Sequence, residues 1–156
     1  MENEATELLN ECKTESDVSQ KLYLLEQLKE LCLNRSPDLL IQMASGIFNL
    51  CVERNTQIRQ FLIKFASQAI ERNASVIPLI IPMFFHLRHD GNDTIVRALS
   101  LELATSYDKL AMHIANMSVT EVNKAKDLWE QLSNISSYMI SLLSSDKPEV
   151  VRNQCI

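Results

Sequence analysis

Two stretches of this chain are versions of one another. Residues 55 to 72 read NTQIRQFLIKFASQAIER and residues 93 to 110 read DTIVRALSLELATSYDKL, an offset of 38. Asn55 falls on Asp93, Thr56 on Thr94, Ile58 and Arg59 on Val96 and Arg97, Phe61 on Leu99, Phe65 on Leu103 and Ala66 on Ala104. A unit of that length cannot bury its apolar face alone, so each copy must pack against the next.

Within the copies, apolar residues recur three and four apart, the spacing of one helical face. The same spacing predicts helices near 3–13, 17–33, 37–53, 56–72, 75–89, 94–115 and 119–143, with an eighth beginning near 148. Ser36 with Pro37, and Asn55, supply N-terminal caps, while Ser118 and Glu121 form a capping box for 119–143. The seam of that helix is expected through Val122, Ala125, Trp129, Leu132, Met139 and Leu143. Segment 75–89 is apolar almost all round, through Ile77, Leu79, Ile80, Ile81, Phe84, Phe85 and Leu87, and is expected to be the most buried. Pro78 suits its first turn, and Pro82, in the interior, predicts a kink. With only 2 glycines and 4 prolines in 156 residues, and no run of alternating polarity, nothing predicts a strand. The connections are too short for crossovers, so neighbouring helices should pack antiparallel.

An Asn or Asp cap followed by an aliphatic-Arg pair, opening the second helix of a two-helix unit, is the HEAT pattern. Val151 and Arg152 repeat the aliphatic-Arg step, offset by 55 instead of 38 because the helices before them are long. The expected fold is all-α, an α-solenoid of about four HEAT/armadillo-like antiparallel pairs, superhelical, with second helices lining the concave face. Residues 1–156 are expected to form one domain whose last helix is incomplete at Ile156, the domain continuing beyond it.

Charge and motif content narrow the function. Residues 1 to 30 hold eight acids and three bases, which accounts for the whole formal charge of -5, and the rest balances. A nucleic-acid surface needs a basic excess, and none is present. Cys12, Cys32, Cys51 and Cys155 form no CxxC pair and are expected as reduced, mostly core thiols. No basic-then-apolar leader and no stretch near the roughly 18 apolar residues of a membrane span occurs. The Asn-x-Ser/Thr matches at Asn34, Asn73, Asn92, Asn116 and Asn134 therefore carry no glycosylation signal.

His86 and His89 stand three apart, but no third ligand is near and His113 lies a helix away. Asp90, Gly91, Asn92 and Asp93 open like a calcium loop, yet the twelfth position is Leu101 where a bidentate glutamate is needed. No phosphate cradle, nucleophile elbow or framed carboxylate pair is present. Neither catalysis nor a cofactor nor a metal is expected.

Two sets of polar residues remain. Asn55 with Arg59, Asp93 with Arg97, and Arg152 are expected to form a structural ladder between repeats. Arg35, Arg54, Arg72 and Arg88 stand near helix C-termini, where a cation favours the dipole. On a helical wheel Gln60, Lys64, Ser67 and Glu71 lie opposite the apolar face, and the register carries them onto Glu102, Thr105 and Lys109. That stripe is the candidate partner-binding surface.

The helix spacing, with KLYLLEQLKELCLNRSPDLL, NTQIRQFLIKFASQAIERN and LLSSDKPEVVRNQCI, resembles the N-terminal HEAT domain of the symplekin family from about residue 5 onward. The resemblance implies a non-catalytic nuclear scaffold of the pre-mRNA 3′-end cleavage and polyadenylation machinery. It implies as partners other 3′-end processing factors and a phosphatase of the RNA polymerase II C-terminal repeats, docked on the concave face. It also implies that residues beyond Ile156 take part in that surface. Neither direct nucleic-acid binding nor a membrane is expected. Two alternatives stay open: another HEAT adaptor, of transport-receptor or phosphatase-subunit type, or a HEAT-like nucleic-acid enzyme, which would need a basic groove.

Overall fold

Asp17 ends one helix-breaking link and starts a helix: its carboxylate accepts a hydrogen bond from Gln20 N at 3.0 Å, satisfying a donor of the first turn. The link it closes is short, and helices α1 (Glu2–Thr14) and α2 (Val18–Glu30) pack along each other as an antiparallel hairpin. Asn55 does the same for α4 (Thr56–Arg72), accepting from Gln57 N at 2.8 Å and Ile58 N at 3.3 Å. Before it, α3 (Leu39–Phe48) tightens into a 3₁₀ turn at Asn49–Val52, and α3 packs on α4. The computed structural model describes residues 2–117 and 119–141, and among these every regular element is helical, with no strand.

The chain divides into two compact units, Met1–Val76 and Ile77–Ile156. In the first, α1 packs on α3 and α2 on α4, so the hairpins stack like helix on like helix. Burial repeats with them. Ala5, Leu9 and Cys12 of α1 are buried, as are Met43, Ile47 and Leu50, each 38 further on. Leu24, Leu25 and Leu28 of α2 match buried Leu62, Ile63 and Ala66 of α4 at the same offset. Gly46 leaves room for the Leu9 side chain of α1, whose Cδ2 would stand 2.6 Å from a Cβ there and would have to shift. Aromatic packing fills the second hairpin, where Phe65, 1% exposed, meets Phe48 and Phe61 edge-on at centroid distances of 5.5 and 6.2 Å.

α2 does not stop at Glu30 but widens into a π-helical turn, Leu31–Arg35, closed by Ser36 N donating to Leu31 O at 2.7 Å. Arg72, from the last turn of α4, donates to Leu33 O at 3.1 Å. A carbonyl that a widened turn leaves available is thus satisfied by the neighbouring hairpin.

In the second unit α5 (Ile77–Leu87) packs on both α6 (Asp93–Met117) and α7 (Val122–Ser141), and α6 packs on α7. Pro78 occupies the first turn of α5, and Pro82 lies inside the helix with its ring exposed. Six of the eleven residues of α5 are buried, against six of ten in α3, so it is not the most covered element. The seam of α7 runs through Ala125, Leu128, Leu132 and Ile135. Val122 and Trp129, expected in it, are 64% and 36% exposed, because the buried arc is turned toward Leu128. Ser118, Leu143, Val151, Arg152, Cys155 and the expected eighth helix lie outside the described residues, as does the side chain of Met139. His89 packs edge-on to Tyr138 at 4.4 Å, fastening the end of α5 to α7.

Candidate protein-docking face

The candidate stripe on α4 is real as a surface. Lys64 and Glu71 are exposed, Gln60 and Ser67 are half-buried at its edges, and the opposite side is the core face from Ile58 to Ile70. α2 lies beside it with Tyr23, Glu26 and Glu30 exposed. Glu26, Lys29, Glu30, Gln68, Glu71 and Arg72 border one cleft of about 280 Å³ between the two helices. Within it Lys29 pairs with Glu26 at 3.0 Å and sits over the Phe61 ring at 5.3 Å, while Asn34 donates to Glu30 at 2.7 Å. Phe61 is accordingly half-buried, its face covered by a lysine instead of by core.

On α6 the 38-residue match is out of register with the packing by one position. The residue that caps α6 is Asn92, which accepts from Thr94 N at 2.9 Å, as Asn55 accepts from Gln57 N. Counting from the caps, buried Ile58, Leu62, Ile63, Ala66 and Ala69 fall on Ile95, Leu99, Ser100, Leu103 and Ser106, all buried, at an offset of 37. At 38 the last three instead fall on Leu101, Ala104 and Tyr107, exposed, and only Ile58 and Leu62 keep buried matches, in Val96 and Ser100. One residue is about 100° of helix rotation, so the slip turns the whole stripe round the axis. Glu102 is half-buried and Lys109 exposed toward one flank, while Thr105 is exposed on the outward side. The outward ridge of α6 is Arg97, Leu101, Thr105, Asp108 and Met112.

The expected ladder divides in the same way. Asn55 is a cap, and Arg59 donates from Nη1 to Glu53 O at 2.8 Å and Arg54 O at 2.7 Å, bracing the link that leads into its own helix. Arg97, one position off in the packing register, is exposed on the outward ridge. Asp93 begins α6 one residue after its cap. Arg35 pairs with Glu4 at 3.4 Å across the first hairpin, and Arg88 donates to Phe85 O at 2.6 Å with its guanidinium 3.5 Å from the Phe85 ring centroid.

One polar link between the hairpins of the first unit was not singled out from sequence. Lys21, 7% exposed on α2, meets Glu53 with Nζ 2.6 Å from Oε1, side-chain exposures being 8% and 31%. The signal was there, since Lys21 stands 38 before Arg59 and Asp17 stands 38 before Asn55. These residues border a cleft of about 480 Å³ with Glu15, Arg54 and Ile58.

The thiols of Cys12, Cys32 and Cys51 are buried and unpaired with one another; burial pushes Cys12 and Cys32 up to about 11 and raises Cys51. His86 is exposed on the last turn of α5 and His89 lies in the turn after it. Among the described residues no group of three or more His, Cys, Asp or Glu could hold a metal, and no helix is long and apolar enough to cross a membrane. His113 of α6 is half-buried, its Nε2 without a hydrogen-bond partner among the described residues, and burial followed by Lys124 lowers its pKa.

No protein-family model matches the chain.

Proposed function

We propose that this chain is a non-catalytic scaffold, a HEAT-type solenoid akin to the N-terminal domain of the symplekin family, acting in pre-mRNA 3′-end processing in the nucleus. Its second helices would dock, on their outward faces, a phosphatase of the RNA polymerase II C-terminal repeats. The observation that carries the reading is the hairpin recurring at 38 residues in the first unit, with matching caps at Asp17 and Asn55 and matching burial on both helices. Such a stack leaves one face of every second helix unused by the core, and solenoids commonly use that face for partners. Exposed α4 offers Lys64 and Glu71 there, beside Tyr23 and Glu30 of α2.

The reading is tested by titrating the purified phosphatase into the chain and into a Lys64→Glu variant. Lys64 is exposed, so its reversal should change stability by only about 0.5 kcal/mol. Saturable binding that weakens with Lys64→Glu supports the docking face. Binding that ignores the reversal moves the site off α4, and no binding by the unaltered chain removes the phosphatase from the proposal.

A further inference from the structure

Three of the prolines follow an isoleucine or a lysine: Ile77 precedes Pro78, Ile81 precedes Pro82 and Lys147 precedes Pro148. Pro37 alone follows a hydroxyl residue, Ser36. The pair stands in the link between the π-helical turn Leu31–Arg35 and α3, where Asn34, Arg35, Pro37 and Asp38 are exposed and Ser36 is half-buried. A residue before proline is pushed off helical backbone, and Ser36 is already there, at φ −143° and ψ 75°. Hydroxyls inside the helices are held differently. Thr6, Thr14, Ser100 and Thr105 each donate to a carbonyl of their own helix, on backbone whose amides are used in it. On one side of Ser36 the chain is wound as a π turn, and on the other Asp38 gives α3 no side-chain cap. Opening the link gives up the bonds from Ser36 N to Leu31 O and from Leu39 N to Ser36 O, while Leu33 and Leu39 stay buried at its two ends.

We propose that Ser36 is a phosphorylation site for a proline-directed protein kinase. Such an enzyme holds its substrate segment extended and reads the residue after the acceptor, where proline brings no N–H to satisfy. Ser36 Oγ bonds to the γ-phosphorus of ATP, the bond from that phosphorus to the β,γ-bridging oxygen breaks, and ADP leaves. The hydroxyl proton passes to the catalytic aspartate of the kinase. The product sets a charge of about −2 between Arg35 and the first turn of α3. Arg35 has a side chain 52% exposed and holds Glu4 at 3.4 Å, so it can exchange that carboxylate for the stronger anion. The start of a helix also favours negative charge. Phosphorylation therefore tightens the beginning of α3 and releases Glu4 of α1. None of this depends on the docking reading, since the site is a link between hairpins and not a face of a second helix.

The test incubates the purified chain with Mg·ATP and a purified kinase of the cyclin-dependent class, then maps the incorporated phosphate by mass spectrometry. One phosphoryl group per chain is expected, on Ser36, kept in Ser36→Thr and lost in Ser36→Ala. Pro37→Ala, with its helicity checked by circular dichroism, should slow incorporation by about tenfold or more. The phosphorylated chain should melt above the unmodified one, and Arg35→Gln should remove most of that gain. No incorporation into the folded chain would overturn the site, as would incorporation that persists in Ser36→Ala. A melting temperature that does not rise, or a rise that survives in Arg35→Gln, would overturn the place given to the phosphate.

Discussion

Removing Glu53 should harm the fold more than removing the lysine it neutralises. Lys21 is 8% exposed at its side chain and has Glu53 Oε1 2.6 Å from its ammonium, so Glu53→Ala leaves a charge buried between two hairpins with no counter-ion. Breaking a fully buried pair in this way costs about 3 to 5 kcal/mol. Glu53 is 31% exposed, which lets water reach the orphaned ammonium, and the expected loss falls to about 2 to 3 kcal/mol. Lys21→Met keeps the length of the stem and removes the charge. Glu53 can then turn into water, so this variant should lie within about 1 kcal/mol of the parent. Combining the two should recover most of the Glu53→Ala loss, a coupling of about 1 to 2 kcal/mol in the double-mutant cycle. Urea unfolding followed by circular dichroism measures all four forms. If Lys21→Met costs as much as Glu53→Ala, the pair contributes net attraction and the argument from desolvation is wrong.

Phe65→Ala, which opens space against Phe48 in the second hairpin, should cost about 3 to 5 kcal/mol in the same melts, whereas Lys64→Ala should cost well under 1 kcal/mol; equal losses would mean the α4 face is phased wrongly. Cys12, Cys32 and Cys51 should resist iodoacetamide at about pH 8 until urea unfolds the chain, since buried thiols with raised pKa hold little thiolate; rapid native labelling, mapped by mass spectrometry, would contradict their burial. His113 has a folded pKa below its ordinary 6.5, so the unfolded chain binds its proton more readily. Its contribution is therefore fully present above pH 6.5 and declines as pH falls through that value, and the decline should flatten in His113→Gln. An unchanged slope in that variant would assign the effect elsewhere.

The helices were legible because periodicity reports burial directly. Expected limits of 56–72 for α4 coincide with Thr56–Arg72, and Asn55 caps it as its side chain suggests. Rotational phase was harder to read. The aliphatic-Arg pairs at Ile58–Arg59 and Val96–Arg97 align best at 38, but the caps and the buried faces align at 37, since Asn92 accepts the Thr94 amide as Asn55 accepts that of Gln57. Sequence identity rewards matching letters, while packing rewards matching azimuth, and one residue of difference moved the stripe from Leu101 to Glu102. Trp129 shows the same limit on α7: a large aromatic at the right spacing looked like seam, yet Leu128 and Leu132 fill it. Lys21 was missed for another reason, because a lysine within an acidic, soluble-looking segment gives no sign that its ammonium is buried against a loop 32 residues away.

Hydrogen–deuterium exchange of the chain, alone and saturated with the polymerase-tail phosphatase, addresses the central claim most directly. The scaffold reading expects added protection in peptides covering the second helices α2, α4 and α6, and little change in α1 and α3. Protection confined to α1 and α3, or no change anywhere at saturating phosphatase, would contradict it.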